Sequence, residues 1–296
     1  MNNLGISEIF LQPQYFDVDG NRIAVYQRRS DTRIVTVFLH GYLTNASTWS
    51  EVLSHFDPDA SVVLVDLPGH GNSRPVKKGC WNLDYIVDVL DQLMQLLGLS
   101  HFHLIGSQMG GSIASYYAIK YPDKIEALCI MAAGALGETK SNMVFFRLLE
   151  NSFTGGLIRR FMTYESFQQK WLAAHGSSYQ VRESRVRYFF KHFQKMATAM
   201  STVALGIRES YGESFDTLAG PLSDLNVRTL LIWGSDDQVV PLAIGERYNK
   251  LITNSRLIVL DGVGDFPQEE SPLLVAIHLY DFLLADKALI GEASNG

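Results

Sequence analysis

Cysteine is scarce in this chain of 296 residues, which contains only Cys80 and Cys129. Neither lies in a C-x-x-C pair or at the spacing to histidine that zinc sites use. A disulfide scaffold is therefore not expected, and a reducing compartment fits the composition. The same scarcity of ligand patterns predicts no metal and no cofactor.

Long apolar runs and a basic leader are also missing. No run reaches the roughly 18 apolar residues that a membrane span needs. The first residues, "MNNLGISEIFLQPQYF", have no positive charge followed by an apolar stretch, so they do not resemble a signal peptide. The net charge of −6 gives no support for a nucleic-acid partner. We therefore expect a cytoplasmic protein without a membrane span, whose partner is a small-molecule substrate.

What the chain does contain is a regular alternation of apolar strands and helices. The runs "RIVTVFLHG" (33–41), "SVVLVDLPGHG" (61–71) and "HFHLIGS" (101–107) are typical of strands buried on both faces. Residues 83–97 have apolar side chains at three- and four-residue spacing and stop at a glycine, which predicts a helix. The alternation predicts an α/β fold with a mostly parallel sheet and helices on both faces.

Residues 135–215 interrupt this alternation with aromatic, amphipathic, helix-like sequence. This insert holds 11 Lys and Arg and 6 Asp and Glu, so its net charge is about +5 while the remainder carries about −11. The basic insert favours an anionic substrate or an acidic partner, although solvated helix faces explain it equally. Its aromatic residues fit either a packed core or an apolar, aromatic pocket; they are Phe145, Phe146, Phe161, Tyr164, Trp171, Tyr188, Phe189 and Phe190.

Five short motifs follow the strands in order: "FLHGY", "DLPGHGNS", "LIGSQMGG", "LIWGSDDQVVP" and "GDFP". Over essentially its whole length the chain resembles the α/β-hydrolase superfamily, in particular its capped, epoxide-hydrolase-like branch. The resemblance implies an α/β-hydrolase core at 1–134 and 216–296. It also implies that residues 135–215 are a helical cap over the pocket.

The resemblance further implies a catalytic triad in the order nucleophile, acid, histidine. The matching positions are Gln108, Asp237 and Asp265, so only the acid is retained. An amide supplies no nucleophile, and a carboxylate that is ionised at neutral pH is a far weaker base than imidazole. At this register the serine-hydrolase mechanism is absent.

Other parts of the family's site are intact or open. The resemblance implies an oxyanion hole made by the backbone N–H groups of Tyr42 and Met109, which do not depend on side-chain identity. His40 and Ser107 adjoin these groups and are the further substrate-binding candidates, although Ser107 lies one residue before the apex and should point elsewhere. Two histidines of the insert, His175 and His192, are the ones that could reach down into the pocket.

Three functions remain open from the sequence. If the two aspartates face one another, one carboxyl should keep its proton. Such a pair suits elimination, isomerisation, cyclisation or decarboxylation of a small apolar carbonyl compound, without hydrolysis. One alternative is a hydrolase in which Asp265 activates a water held by Gln108 over the oxyanion hole. The other is a non-catalytic protein that binds a ligand or a partner. The sequence carries no signal for an oligomeric state.

Overall fold

The computed structural model describes residues 12–30, 34–74, 81–140 and 143–293, with side chains up to residue 284. Two sequence predictions lie outside the described residues. One is the absence of a signal peptide, which concerns residues 1–11, and the other concerns Cys80. Cys129 is a buried free thiol. None of the helices in the described segments combines the length and the hydropathy that crossing a bilayer requires.

In the described residues one eight-stranded sheet forms the centre of the molecule, in the order β1-β2-β4-β3-β5-β6-β7-β8. Strands β1 and β2 run antiparallel to their neighbours, and β3 to β8 are mutually parallel. The predicted parallel α/β architecture is thereby confirmed. The strands are β1 Gln14–Val18, β2 Asn21–Arg28, β3 Val35–Leu39, β4 Val62–Val65, β5 Phe102–Ser107, β6 Ile125–Met131, β7 Thr229–Gly234 and β8 Ser255–Leu260.

The first two strands form a hairpin around Asp19 and Gly20. Both turn residues have positive φ, +46° and +75° respectively. A two-residue hairpin loop of this kind needs positive φ at both positions, which Asp-Gly adopts readily. Val18 consequently pairs with Asn21, as the sequence signal predicts.

Helices cover both faces of the sheet. The helix predicted at 83–97 is α2, which begins after Asn82, whose side chain accepts a hydrogen bond from the backbone N–H of Tyr85, and is followed by Gly98 at φ +70°. Short 3₁₀ turns occupy Ala46–Trp49, Pro122–Lys124 and Gly134–Leu136. The core helices are α1 Ser50–Leu53, α2 Leu83–Leu96, α3 Met109–Lys120, α8 Ala219–Ser223, α9 Leu242–Leu251, α10 Pro267–Glu270 and α11 Pro272–Ala293.

Between β6 and β7 the described residues of the insert are helical. The helices are α4 Met143–Glu150, α5 Ser152–Phe161, α6 Tyr164–Ala173 and α7 Glu183–Glu209. They share an apolar cluster of their own, which includes Phe167, Trp171 and Phe193 and which Phe266 joins from the core. The aromatic residues of the insert are therefore in large part packing residues.

An ion-pair cluster holds the insert to the core. The carboxylate of Glu269, with its side chain 1 % exposed, accepts hydrogen bonds from Arg182 and Arg185 of the insert. The hydroxyl of Thr48 donates to the same carboxylate at 2.8 Å. A buried carboxylate that lost its arginines would be left uncompensated, so this contact strongly favours the docked position of the insert.

The strand order places a topological switch point at the carboxyl ends of β3 and β5, where a crevice is expected. Strand β4 lies on one side of β3 and β5 on the other, so the connections that follow β3 and β5 leave in opposite directions. In open parallel sheets ligands bind at such a switch point, beyond the carboxyl ends of the strands. Gly41 and Tyr42 follow β3 at this point, and Gln108 follows β5.

Candidate functional site

Gln108 lies at the apex of a strained turn between β5 and α3. Its backbone has φ +54° and ψ −117°, a conformation that non-glycine residues rarely adopt. The turn is closely packed, because a Cβ at Gly106 would lie 2.6 Å from the carbonyl carbon of Gly110. A Cβ at Gly110 would lie 2.6 Å from the carbonyl oxygen of Leu39. The glycines of the motif are thus needed for the turn, and the turn presents an amide.

The amide of Gln108 bridges two loops. Its Nε2 donates a hydrogen bond to Oδ2 of Asp265, which is 157 residues away in sequence. Its Oε1 lies against Gly41, where a Cβ would collide with it and would lie 2.7 Å from Cδ. This oxygen is buried, and no group in the part of the chain that the structure describes hydrogen-bonds to it. The amide therefore occupies the crevice between the β3 and β8 loops and keeps one acceptor free.

Asp265 is held by the loop after β8 and by the insert. Its backbone N–H donates to the carbonyl of Ala174 at 2.9 Å. On either side of it, Gly264 and Phe266 donate their N–H groups to the Glu270 carboxylate at 3.0 and 3.1 Å. The residue is 5 % exposed, and Oδ1 of its carboxyl has no partner.

Asp237 lies in the loop after β7 and is bound in a similar, one-sided way. Its Oδ1 accepts hydrogen bonds from the N–H groups of Val239 at 2.9 Å and Val240 at 2.7 Å. Its Oδ2 is buried without a partner. Each of the two aspartates thus has one oxygen engaged and one oxygen available.

Burial and mutual repulsion favour the protonated forms of these carboxyls. Burial raises the pKa of Asp237 to about 7, while the N–H groups of Val240 and Val239 oppose the rise. For Asp265, burial first and the charge of Asp237 second raise the pKa well above its usual range, against the opposing hydrogen bond from Gln108. The pair therefore retains a proton near neutral pH and can both donate and accept one.

Tyr42 and Met109 flank the Gln108 amide. Met109 is the first residue of α3, whose opening N–H groups have no acceptor within the helix. Tyr42 follows Gly41, and its hydroxyl is hydrogen-bonded to Ser201 of the insert at 3.0 Å. That their N–H groups form an oxyanion hole stays a prediction.

His40 and Ser107 do not present their side chains to the crevice. His40 accepts from the N–H of Leu67 through Nε2 at 3.0 Å and donates through Nδ1 to the carbonyl of Gly41 at 2.7 Å. Ser107 is fully buried and donates to Oε1 of Gln268 at 2.9 Å. Both ring nitrogens of His40 and the hydroxyl hydrogen of Ser107 are thus engaged inside the fold, and a role for these residues in substrate binding stays a prediction.

The two candidate histidines of the insert lie on opposite sides of the site. His175 stacks on Phe266 with ring centroids 4.8 Å apart, and its Nδ1 is bonded to the carbonyl of Trp171. Burial lowers the pKa of His175 to about 4, so it is neutral near pH 7. His192 lies beside Gly71, and burial followed by the charge of Lys195 lowers its pKa. In the described structure neither is hydrogen-bonded to Gln108, Asp237 or Asp265.

Glu270 is the functional-site residue that sequence reasoning missed. Its carboxylate accepts from the N–H groups of Gly176, Gly264 and Phe266, so it joins the insert to the loop that carries Asp265. Burial raises its pKa, while those three N–H groups lower it. The sequence "PQEE" looks like the first turn of an exposed helix, and only its position directly after Phe266 hints at this role.

Comparison with known proteins fixes the family. Residues 35–272 match the family described as the alpha/beta hydrolase fold. The chain belongs to this family. A putative lipase of Acinetobacter baumannii has the same fold, with a TM-score of 0.81 and 19% identity over 96% of this chain and 94% of that one.

Two curated relatives cover nearly the whole chain. One is a 2-hydroxy-6-oxononadienedioate/2-hydroxy-6-oxononatrienedioate hydrolase of Pseudomonas putida, 26% identical over 93% of this chain and 95% of the relative. The other is a putative 2-succinyl-6-hydroxy-2,4-cyclohexadiene-1-carboxylate synthase of Bacillus subtilis, 26% identical over 90% and 96%. This α/β-hydrolase-fold protein therefore has homologues that include named hydrolases acting on small molecules.

In the segments that the structure describes, no three His, Cys, Asp or Glu residues are grouped so that they could hold a metal ion. The groups at the crevice that can act on a substrate are the two aspartates, the amide and the neighbouring backbone N–H groups.

Proposed function

We propose that this protein is a non-hydrolytic enzyme that transfers protons on a small, apolar carbonyl compound. The observation that carries the proposal is the Gln108 amide at the elbow, hydrogen-bonded to a buried Asp265 whose pKa is raised beside a second buried carboxyl. An amide at this position forms no acyl-enzyme. A carboxyl pair that shares a proton is instead suited to acid–base chemistry near neutral pH.

In the proposed reaction the substrate carbonyl lies over the start of α3, near the N–H groups of Met109 and Tyr42. The carboxylate of Asp265 removes a proton from the carbon next to the carbonyl, and the electron pair moves to the carbonyl oxygen. The N–H groups stabilise the resulting enolate. Asp265 then returns the proton to a different carbon of the substrate, which completes an isomerisation. In an elimination the enolate electrons instead re-form the carbonyl, the bond from the next carbon to a hydroxyl group breaks, and Asp265 gives the proton to that hydroxyl, which leaves as water.

Gln108 and Asp237 have supporting roles in this scheme. Gln108 positions the Asp265 carboxylate through Nε2, and its free Oε1 over Gly41 accepts a hydrogen bond from an enol or hydroxyl group of the substrate. Asp237 is the second carboxyl of the pair, because its charge raises the pKa of Asp265 and its Oδ2 accepts no hydrogen bond from the described residues. The basic insert and the carboxylates in the names of both relatives support an anionic substrate.

Solvent deuterium exchange tests the proposal without a known substrate. A panel of small oxo- and hydroxy-substituted unsaturated carboxylic acids is incubated with the protein in D₂O, and deuterium next to the carbonyl is followed by NMR. We expect exchange that Asp265→Asn reduces by about 10²- to 10⁴-fold, the usual contribution of a general acid–base group. Asp261→Asn is the matched control, since Asp261 is exposed near the same loop. Asp265-dependent cleavage of esters or carbon–carbon bonds by water would instead establish the hydrolase.

One observation favours a second candidate, a non-catalytic binder. Gln108, Asp237 and Asp265 are only 8 %, 6 % and 5 % exposed, and the amide itself fills the space over Gly41. A binder would retain ligands from the same panel in calorimetry, but would catalyse no exchange in the wild-type protein. Exchange in the wild type that is absent from Asp265→Asn excludes it.

A further inference from the structure

The insert exposes an unusual number of large apolar side chains on two neighbouring helices. Val144 of α4 is 69 % exposed, and Phe153 and Phe161 of α5 are 75 % and 72 % exposed. Leu148 and Leu157 on the same helices are each 43 % exposed. Isolated exposed apolar residues are common, but a contiguous group of this size marks a contact surface. We call these five residues, with Arg147 and Arg160, the insert patch.

Helix geometry places the patch on the outer side of the insert. Phe153, Leu157 and Phe161 follow one another at four-residue spacing and so share one face of α5. Gly155, about half a turn away, is buried, and a Cβ there would lie 3.0 Å from the Oγ1 of Thr198 on α7. The opposite side of α5 therefore packs against α7. Helices α4 and α5 contact each other and α7, so their outward faces adjoin.

The charges of the patch have one sign. Arg147 is three residues after Val144, and Arg160 is three residues after Leu157, so each lies beside the apolar side chains of its own helix. Neither is paired with a carboxylate in the described part of the chain. The acidic residue described on these two helices, Glu150, ends α4 three residues after Arg147 and so lies at the border of the patch.

We propose that the insert patch docks on the surface of an anionic lipid bilayer. Helices with aromatic and aliphatic side chains on one face and arginines beside them lie in the interface of such membranes, with their apolar side chains among the lipid chains. A second copy of this chain fits less well, since two such patches would bring four arginines together with only the two Glu150 carboxylates at their borders. The negative surface of the bilayer supplies the missing counter-charge. This inference is independent of the reaction at Asp265.

Vesicle flotation with the whole 296-residue chain tests the docking. We expect the protein to float with vesicles of phosphatidylcholine and phosphatidylglycerol, far less with phosphatidylcholine alone, and less as salt is raised. Phe153→Ser combined with Phe161→Ser should weaken the partition into vesicles at least about tenfold, because the two aromatic side chains that would be buried in the bilayer are lost. Arg147→Gln and Arg160→Gln should each weaken it about fivefold.

A matched control separates the patch from general stickiness. Leu96→Ser removes an apolar side chain that is 58 % exposed on α2, away from the insert, and should leave flotation unchanged. Circular dichroism and thermal melting show whether each variant is folded. No flotation with anionic vesicles, or flotation that the patch variants leave unchanged, would overturn the proposal. So would a dimer in sedimentation velocity that the same variants dissociate, if vesicle binding is absent.

Discussion

Two buried aspartate sites at the same edge of the sheet behave in opposite ways. Asp66, after β4, is 1 % exposed and has both oxygens engaged. Its Oδ1 accepts from the N–H of Ala46 at 2.8 Å, and its Oδ2 accepts from the N–H of Asn72 at 2.7 Å and the hydroxyl of Tyr26 at 3.1 Å. Asp237 and Asp265 are also buried, yet each has one oxygen that finds no partner among the described residues.

The number of engaged carboxylate oxygens distinguishes an aspartate that stabilises the fold, Asp66, from two that are available for chemistry, Asp237 and Asp265. Burial raises the pKa of Asp66 to about 6, against the hydrogen bonds from Asn72, Ala46 and Tyr26, which tie together three segments of the core. The Asp237–Asp265 pair has spare acceptors and a stronger bias towards protonation. An unsatisfied buried oxygen destabilises a fold, so its presence at a crevice suggests a use by a substrate or a shared proton.

The largest expected effect comes from building a Ser-His-Asp triad at positions 108, 265 and 237. Gln108→Ser combined with Asp265→His would place a hydroxyl at the apex and an imidazole opposite it, with Asp237 to orient the ring. We expect hydrolysis of p-nitrophenyl acetate to rise at least about 10³-fold over the wild type, together with labelling by a fluorophosphonate probe. Adding Asp237→Asn should abolish the gain, whereas adding Ser107→Ala should preserve it. A double variant that is folded and unlabelled would contradict the assigned register.

The second largest effect is on the free energy of unfolding, which should respond differently to substitutions at Asp66 and at Asp265. Asp66→Asn turns an amide N–H₂ towards the N–H of Asn72 or of Ala46, and we expect it to lower the free energy of unfolding at pH 7 by about 3 kcal/mol. Asp265→Asn keeps an oxygen that can accept from Gln108 and replaces a carboxyl whose ionised form burial already disfavours, so it should leave that free energy unchanged or raise it. Urea denaturation of the two variants at pH 7 measures both. Equal losses would mean that Asp265 is as structural as Asp66.

Much of this frame can be predicted from sequence because it depends on local patterns. The Asp19-Gly20 turn and the helix that begins at Leu83 follow from turn and capping chemistry. The placement of Gln108 follows from the glycines on either side of it. What a pattern cannot give is which atoms meet across the fold.

The hydrogen bonds of the site are such long-range contacts. Gln108 meets Asp265 across 157 residues, and His40 accepts from Leu67 across 27. A histidine directly after a strand looks like a site residue, and only the tertiary contact shows that its ring closes a turn. Glu270 escapes notice for the same reason, because its three N–H donors come from the β8 loop and the insert.

The smallest effect is the pH dependence of stability at Asp237, where the sign is opposite to that of an ordinary ion-paired aspartate. In the folded protein the carboxyl holds its proton up to about pH 7, whereas the unfolded chain releases it near its usual value. Between those limits the unfolded state binds fewer protons, so this group lowers stability as pH rises. The free energy of unfolding of Asp237→Asn, relative to that of the wild type, should therefore rise by about 2 kcal/mol between pH 5 and pH 7. Urea denaturation at each pH measures this difference.

Asp236→Asn provides the matched control for that measurement. Asp236 is the preceding residue and is only partly buried, and hydrogen bonds from the hydroxyl and N–H of Ser177 lower its pKa. It is ionised in both folded and unfolded chains across this range, so its difference from the wild type should not change with pH. A pH-independent difference for Asp237→Asn as well would show that Asp237 is charged in the folded protein. The shared proton on which the proposed chemistry depends would then be absent, and the contrast with Asp66 would lose its basis.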